Sequence, residues 1–268
     1  MAIYASRLGA YNVSMIFGRL ANSVERETIG ICIAVLVVFL QSFCPAQCKT
    51  FPELVEEEEY TKQLLSGKTW QNAEPFLEAM HTRLTNLNDY VFESNQKCAK
   101  EDKLKVGSAK FFFKKEQRIR LEVRSNGVNN GAVVVRKEDG QIKACGGGML
   151  KFVAMNLDPD SRMLQLPSGR NIIHSDFATL IRDLLSQPRK GCQVKIAAES
   201  IAGKHWSGLA KVIEVKDSGG IVTERVFVNP GSNTPVEWHL YRDGALFSMT
   251  VFENFQANPG LQDSLFEM

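Results

Sequence analysis

From residue 90 onward, polar and apolar residues alternate along the chain. The stretch RIRLEVR at 118–124 shows this most clearly, with one set of side chains at even-numbered positions and another at odd-numbered positions. The charged set is Arg118, Arg120, Glu122 and Arg124, and the apolar set is Ile119, Leu121 and Val123. A period of two places the two sets on opposite faces of a β-strand. We therefore expect the charged set to face water and the apolar set to face a core.

Comparable short segments follow one another almost to the end of the chain, separated by turn residues. Asp139-Gly140 and Asp243-Gly244 are strong signals for hairpin turns. The spacing predicts about nine to eleven strands joined by short connections. Such a succession is typical of one large antiparallel sheet, and a sheet of this size curls because its strands twist.

Three segments have the period of a helix instead. The first, 50–67, contains an acidic EEEE run and ends at a glycine. In the second, 72–90, the apolar stripe is Leu77, Met80, Leu84 and Leu87. In the third, 175–188, the stripe is Phe177, Leu180, Ile181, Leu184 and Leu185, with Ser175 or Asp176 as the cap. The fold class predicted is mainly β with α (α+β), with two or three helices covering the sheet.

Two amphipathic helices are few for so many strands, so the curled sheet is expected to keep an apolar cavity on its concave face. A cavity of this kind binds apolar ligands. The side chains expected to line it are the apolar ones at alternate positions of the strands and those of the apolar helix stripes. They are Met80, Leu84, Phe111, Phe113, Ile119, Leu121, Val123, Leu150, Phe152, Phe177, Ile181 and Leu184.

The start of the chain has the pattern of an export signal. The apolar run at 28–40, TIGICIAVLVVFL, is shorter than the ~20 residues of a spanning helix and suits the core of a signal peptide. Cys44 and Ala46 are small residues that fit a cleavage site before Gln47, and Met15 is an alternative start of translation. An uncleaved membrane anchor and a lipidated cysteine are the alternatives to cleavage.

These segments divide the chain into three parts: a signal segment (1–46), an acidic helix or linker (47–69) and one folded domain (70–268). The sequence thus predicts a periplasmic protein or, alternatively, one anchored to the membrane by its first segment. An exported compartment permits disulfides, and sequence leaves their pairing open. The cysteines that follow the signal core and its flank are Cys48, Cys98, Cys145 and Cys192.

Composition and charge exclude several classes of protein. Apolar residues make up 44% and charged residues 23% of the 268 positions, which is ordinary for a globular protein. The net charge of +2 gives no reason to expect nucleic acid as a partner.

Residues that could support catalysis or hold a metal are sparse. The four histidines have no His-x-x-x-His spacing, no Gly-x-Ser-x-Gly motif occurs, and the glycines at 146–148 lack the rest of a phosphate loop. His174 and Asp176 are interpreted as a helix cap with a neighbouring histidine. We expect no catalytic residues, no metal and no cofactor, and a minor alternative is an envelope enzyme that uses His174, Asp176 or His205.

The order of the elements resembles the LolA-like superfamily of exported bacterial proteins. The resemblance covers residues 70–268 and rests on LEAMHTRLTNLNDY, GSAKFFFKKEQRIRLE, VRKEDGQI, DFATLIRDLL and a tail with Leu261, Asp263 and Phe266. It implies an unclosed antiparallel barrel, lidded by helices, with an apolar cavity for acyl chains. A basic residue followed by proline helps to hold the lid in the carrier of that superfamily. Lys115 is the matching lid-latch candidate, and Glu116 stands in place of the proline.

The function expected is binding of a lipid or of the acyl chain of a lipoprotein, without catalysis, including a role in outer-membrane lipoprotein or lipid transport. Envelope membrane proteins are further partners to expect. The alternative is an interaction or sensor module of the same fold with a filled core, which would bind through a sheet edge or the acidic helix.

Overall fold

The alternating segments form strands of one sheet. The structure, a computed structural model, describes residues 51–124, 129–148 and 153–268, which belong to one compact unit, 49–268. The predicted signal segment, Cys48, Leu150 and Phe152 lie outside the described residues.

Three α-helices are described: α1 (Pro52–Leu65), α2 (Glu74–Asn86) and α3 (Phe177–Ser186). The strands are β1 (Trp70–Asn72), β2 (Asp89–Lys100), β3 (Lys103–Lys114), β4 (Arg118–Arg124), β5 (Val133–Arg136), β6 (Ile142–Cys145), β7 (Ala154–Leu157), β8 (Gln193–Ala197), β9 (Ile201–Ala202), β10 (Leu209–Lys216), β11 (Val222–Asn229), β12 (Thr234–Arg242) and β13 (Ala245–Ala257).

All strand pairs of the sheet are antiparallel. The order is β1-β8-β10-β11-β12-β13-β2-β3-β4-β5-β6-β7, and β9 pairs with β10. The two end strands, β1 and β7, do not pair with each other in the described part of the chain, so the barrel is unclosed and the predicted fold class is confirmed. The sheet has 13 strands rather than about nine to eleven, because elements as short as β1 and β9 carry too few residues to show a period.

We call one side of the sheet the inner face. It carries the apolar side chains of β2 to β6, β8 and β10 to β12, which form one core with α2 and α3. Strands at 4.8 Å spacing would spread such a set over roughly 43 Å if the sheet were flat. The two helices cover it together with Leu164, Ile172 and Ile173 of the segment before α3, because the sheet curves around them.

The opposite side, the outer face, is covered differently. Leu54 of α1 packs with Tyr241, Phe247 and Met249, and Leu65 at the other end of α1 packs with Phe227. These partners alternate along β11 to β13 with side chains of the inner core. Helix α1 therefore lies across the outer face, over the second half of the sheet.

The charged side of β4 corrects one expectation. Arg118 and Arg120 do not face water freely, because the C-terminal tail (260–268) lies on them and leaves their side chains 14% and 20% exposed. Arg118 Nη1 and Lys114 Nζ bind Asp263 Oδ1 at 2.6 and 2.5 Å, and Arg120 Nη1 donates to the carbonyl oxygen of Leu265 at 3.1 Å. The charged strand face is thus a docking surface for the tail.

Candidate functional site

The residues predicted to line a cavity lie on the inner face and on the helices that cover it. Nine are buried members of the main core: Met80, Leu84, Phe111, Phe113, Ile119, Leu121, Phe177, Ile181 and Leu184. Val123 is half-buried at the margin of this core, and Leu150 and Phe152 are outside the described residues. The structure brings the described members together, and their role as a cavity lining stays a prediction.

A stack of aromatic rings joins α3 to the sheet. The ring of Phe177 lies parallel to that of Phe92, with centroids 4.4 Å apart, and edge-on to Phe252 at 5.1 Å. Tyr90 stacks on the other side of Phe177 at 5.8 Å. Tyr90 and Phe92 are not among the site residues predicted from the sequence. Their alternate positions in YVFE place both rings on one face of the strand, and this spacing could have identified them.

The hydroxyl of Tyr90 fixes the first turn of α3. It is fully buried and accepts a hydrogen bond from the backbone N–H of Phe177 at 2.9 Å. Asp176 accepts from the N–H of Thr179 at 2.9 Å, so it is the helix cap that the sequence indicates. Burial raises the pKa of Tyr90 well above its usual range, and the nearby Asp176 carboxylate adds to this. His174 is exposed beside this cap.

Lys115, the lid-latch candidate, lies in the exposed turn between β3 and β4. Its backbone N–H donates to the carbonyl oxygen of Asn88 at 2.8 Å. The neighbouring Lys114 and Arg118 hold the C-terminal tail, as described above. The latch role of Lys115 stays a prediction.

Under α1, the outer face holds a buried polar network that the sequence did not reveal. Arg225 donates from Nη1 to Glu58 Oε2 at 3.0 Å and from Nε to Glu214 Oε2 at 2.8 Å. The Tyr241 hydroxyl accepts from Arg225 at 2.7 Å and donates to Glu58 at 2.6 Å. Burial raises the pKa of Tyr241 well above its usual range. Half of the acidic EEEE run therefore points into the protein, because Glu57 and Glu58 are buried.

A second group adjoins this network. Glu57 Oε2 contacts His205 Nε2 at 2.8 Å and Lys204 Nζ at 2.7 Å. The hydrogen bond to Glu57 raises the pKa of His205. Burial by itself raises the pKa of Glu57, but the hydrogen bonds from His205 and Lys204 outweigh it and lower the pKa. Nearby, Glu237 Oε1 hydrogen-bonds His239 Nε2.

The outer face also has a groove of about 550 Å³ beside His205. Lys97, Arg124 and Lys204 line it together with Glu253 and the exposed Val106. Met249 and Val251 line it as well, and because it lies on the outer face it is separate from the apolar site predicted for the inner face.

Comparisons with known proteins find similar solved structures but no similar sequence. No family model matches the chain, and no curated protein sequence matches it. Among solved structures, an uncharacterised conserved protein from Thermus thermophilus is 10% identical, with a TM-score of 0.46, over 74% of this chain and 94% of its own. MucB is 13% identical, with a TM-score of 0.46, over 74% of this chain and 64% of its own.

A LolA superfamily protein from Nitrosomonas europaea is also similar. It is 10% identical, with a TM-score of 0.41, over 74% of this chain and 98% of its own. The similar structures thus include a member of the superfamily that the sequence resembles. The fold described above rests on the strand pairing of this chain itself.

Proposed function

We propose that the protein is an exported, non-enzymatic binding protein that holds a lipid or the acyl chain of a lipoprotein between its inner face and helices α2 and α3. The observation that supports this most is the continuity of the inner face. Apolar side chains from β2 to β6, β8 and β10 to β12 meet beneath two helices of the described chain. Lipid or lipoprotein transport at the outer membrane is the setting we propose for this binding.

Binding requires α2 and α3 to move away from the sheet, because the core side chains of the inner face now contact one another. A rim of half-buried apolar side chains surrounds that core and offers a starting point for an acyl chain; it includes Val123, Leu157, Leu166, Phe252 and Phe255. Each buried CH₂ contributes about 0.8 kcal/mol, so a long chain can offset the lost helix contacts. The apolar contacts are non-directional, which lets an acyl chain replace them.

Export is part of the proposal and rests on the apolar run at 28–40. None of the described helices is long and apolar enough to cross a membrane. We expect fractionation of the native cell to recover the protein in the periplasm, with Gln47 at its N-terminus. Intact 1–46 on a membrane-bound protein would instead support the anchored alternative.

Lipid binding is tested with a photoreactive palmitate analogue and mass-spectrometric mapping of the labelled residues. We expect labels on β2 to β4 and α3. Two valines give a matched pair, because Val123 is half-buried beside the inner core and Val106 is 67% exposed in the outer groove. Val123→Glu should reduce labelling at least tenfold, and Val106→Glu should leave it unchanged. Labels confined to the outer groove would contradict the proposed site.

The alternative function is an interaction module of the same fold with a filled core. The close packing of the described inner-face side chains favours it. A folded protein that takes up neither the palmitate analogue nor a diacylated lipopeptide, and that carries no lipid when extracted from its own cell envelope, would rule out lipid binding and leave this alternative.

A further inference from the structure

Three side chains that are far apart in sequence meet beneath α1 on the outer face. They are Glu57 of α1, His205 of the loop before β10, and Glu237 of β12. One possible ligand atom from each lies within 4.8 Å of the other two. Glu57 and Glu237 have side chains only 5% and 1% exposed, whereas the side chain of His205 is 27% exposed.

Glu237 supplies an independent observation that points to a ligand. Its Oε2 atom is buried and has no hydrogen-bond partner, while Oε1 is held by the fully buried His239. A buried carboxylate oxygen without a partner is costly, and native proteins rarely leave one unexplained. A metal-binding carboxylate has this arrangement, in which one group orients it from behind and an oxygen stays available in front.

The local charge points in the same direction. Glu57 and Glu237 bring two carboxylates into the cluster, and Lys204, whose side chain is 42% exposed, binds Glu57 but not Glu237. The buried Arg225 is committed to Glu58 and Glu214. Among the described residues no lysine or arginine pairs with Glu237, so a divalent cation between the two carboxylates would supply the counter-charge that Glu237 lacks.

We propose that Glu57, His205 and Glu237 bind one divalent transition-metal ion, with zinc as the best fit, and that His239 orients Glu237 behind it. An imidazole with two carboxylates is a donor set that suits Zn²⁺ better than Mg²⁺ or Ca²⁺, which prefer oxygen alone. Bonds of about 2.0–2.1 Å to zinc put neighbouring ligand atoms about 3.3 Å apart. When the metal binds, the hydrogen bond between His205 Nε2 and Glu57 Oε2 is replaced by their bonds to the ion.

Such an ion would connect α1, β12 and the loop that carries His205. His205 also lines the outer groove, so the fourth coordination position opens toward that groove and is available to water or to an anionic ligand. This inference does not depend on lipid binding at the inner face.

The test uses the untagged full chain, stripped with a chelator and titrated with Zn²⁺ by calorimetry and by competition with a chromophoric chelator. We expect one zinc per chain and a rise in the melting temperature on binding. Glu237→Gln and His205→Ala should each weaken the affinity on the order of 100-fold. The matched controls are Glu59→Gln, which is exposed on α1, and His174→Ala, which is exposed beside α3; both should bind as the wild type does.

Four results would overturn the proposal: no stoichiometric zinc binding, binding that survives both site variants, equal loss in the controls, or equal affinity for Mg²⁺. Binding that survives both site variants would point to the cysteines instead. Circular dichroism checks that each variant is folded. If Glu237→Gln fails to fold, His205→Ala still decides the question, because His205 lies on a partly exposed loop and the buried Glu57, which loses this partner, keeps Lys204.

Discussion

Apolar packing holds helices on both faces of the sheet, but among the described residues only the outer face adds a buried ion-pair network. On the inner face, α3 is attached by apolar packing and stacked rings around Phe177. On the outer face, α1 packs through Leu54 and Leu65 and is attached in addition by a buried charge, because Glu58 binds Arg225, which also binds Glu214. Apolar contacts tolerate replacement by another apolar body, whereas charge-assisted hydrogen bonds fix one geometry. This contrast supports the proposal that helices move and a ligand binds at the inner face, while α1 keeps a fixed attachment on the outer face.

The largest effect is expected on the inner face. Phe177→Ala removes a fully buried ring and should lower the free energy of unfolding by about 3–5 kcal/mol, measured with urea. Palmitate should restore part of this loss if an acyl chain can occupy the vacated space. A loss below ~1 kcal/mol would show that the ring is loosely packed, and it would weaken the contrast between the faces.

On the outer face, Arg225→Met is expected to cost about 3 kcal/mol, because it removes the one buried cation of Glu58 and Glu214 in the described chain and leaves them only the more exposed Lys62 and Lys216. Urea unfolding measures this loss. Adding Glu58→Gln and Glu214→Gln to the same chain should recover most of it, because the buried charges are then gone. If the triple variant were no more stable than Arg225→Met, the loss would come from packing, and the electrostatic description of this face would be wrong.

A smaller loss of stability is expected when one hydrogen bond is removed, and it should affect only the face on which that bond lies. Tyr90→Phe leaves the buried N–H of Phe177 unpaired and should cost about 1–2 kcal/mol. Hydrogen exchange should speed up at the first turn of α3, and labelling by the photoreactive palmitate should become faster. Tyr241→Phe is the matched control on the outer face, and it should leave exchange in α3 unchanged. Equal acceleration of α3 in both variants would mean that the faces are not independent.

The sequence predicted those features that depend on neighbouring residues. The alternation from residue 90 indicated the antiparallel sheet, and the stripe around Phe177 with its Asp176 cap indicated α3. Features set by distant residues could not be predicted in this way. Nothing in the EEEE run tells which of its members will meet Arg225 or His205, and nothing in β4 tells that Arg118 will meet Asp263, because strand order and curvature create those contacts.

The smallest effect concerns the C-terminal tail, whose exposed Asp263 is held by the largely covered Lys114 and Arg118. Hydrogen bonding to Lys114, aided by Arg118, lowers the pKa of Asp263 below its ordinary 3.8. A carboxyl group whose pKa falls on folding stabilises the folded form above its unfolded pKa, and this contribution disappears as the pH falls through the folded value. We therefore expect the tail to loosen only in strong acid, below about pH 4. An NMR titration of the Asp263 carboxyl carbon should show the low midpoint, Lys114→Met should raise it toward the ordinary value, and Lys115→Met should not. An unchanged midpoint in Lys114→Met would mean that the contact between Lys114 and Asp263 does not persist in solution, and the tail would then be held by Arg118, by the buried Phe266 and by the hydrogen bonds to its backbone.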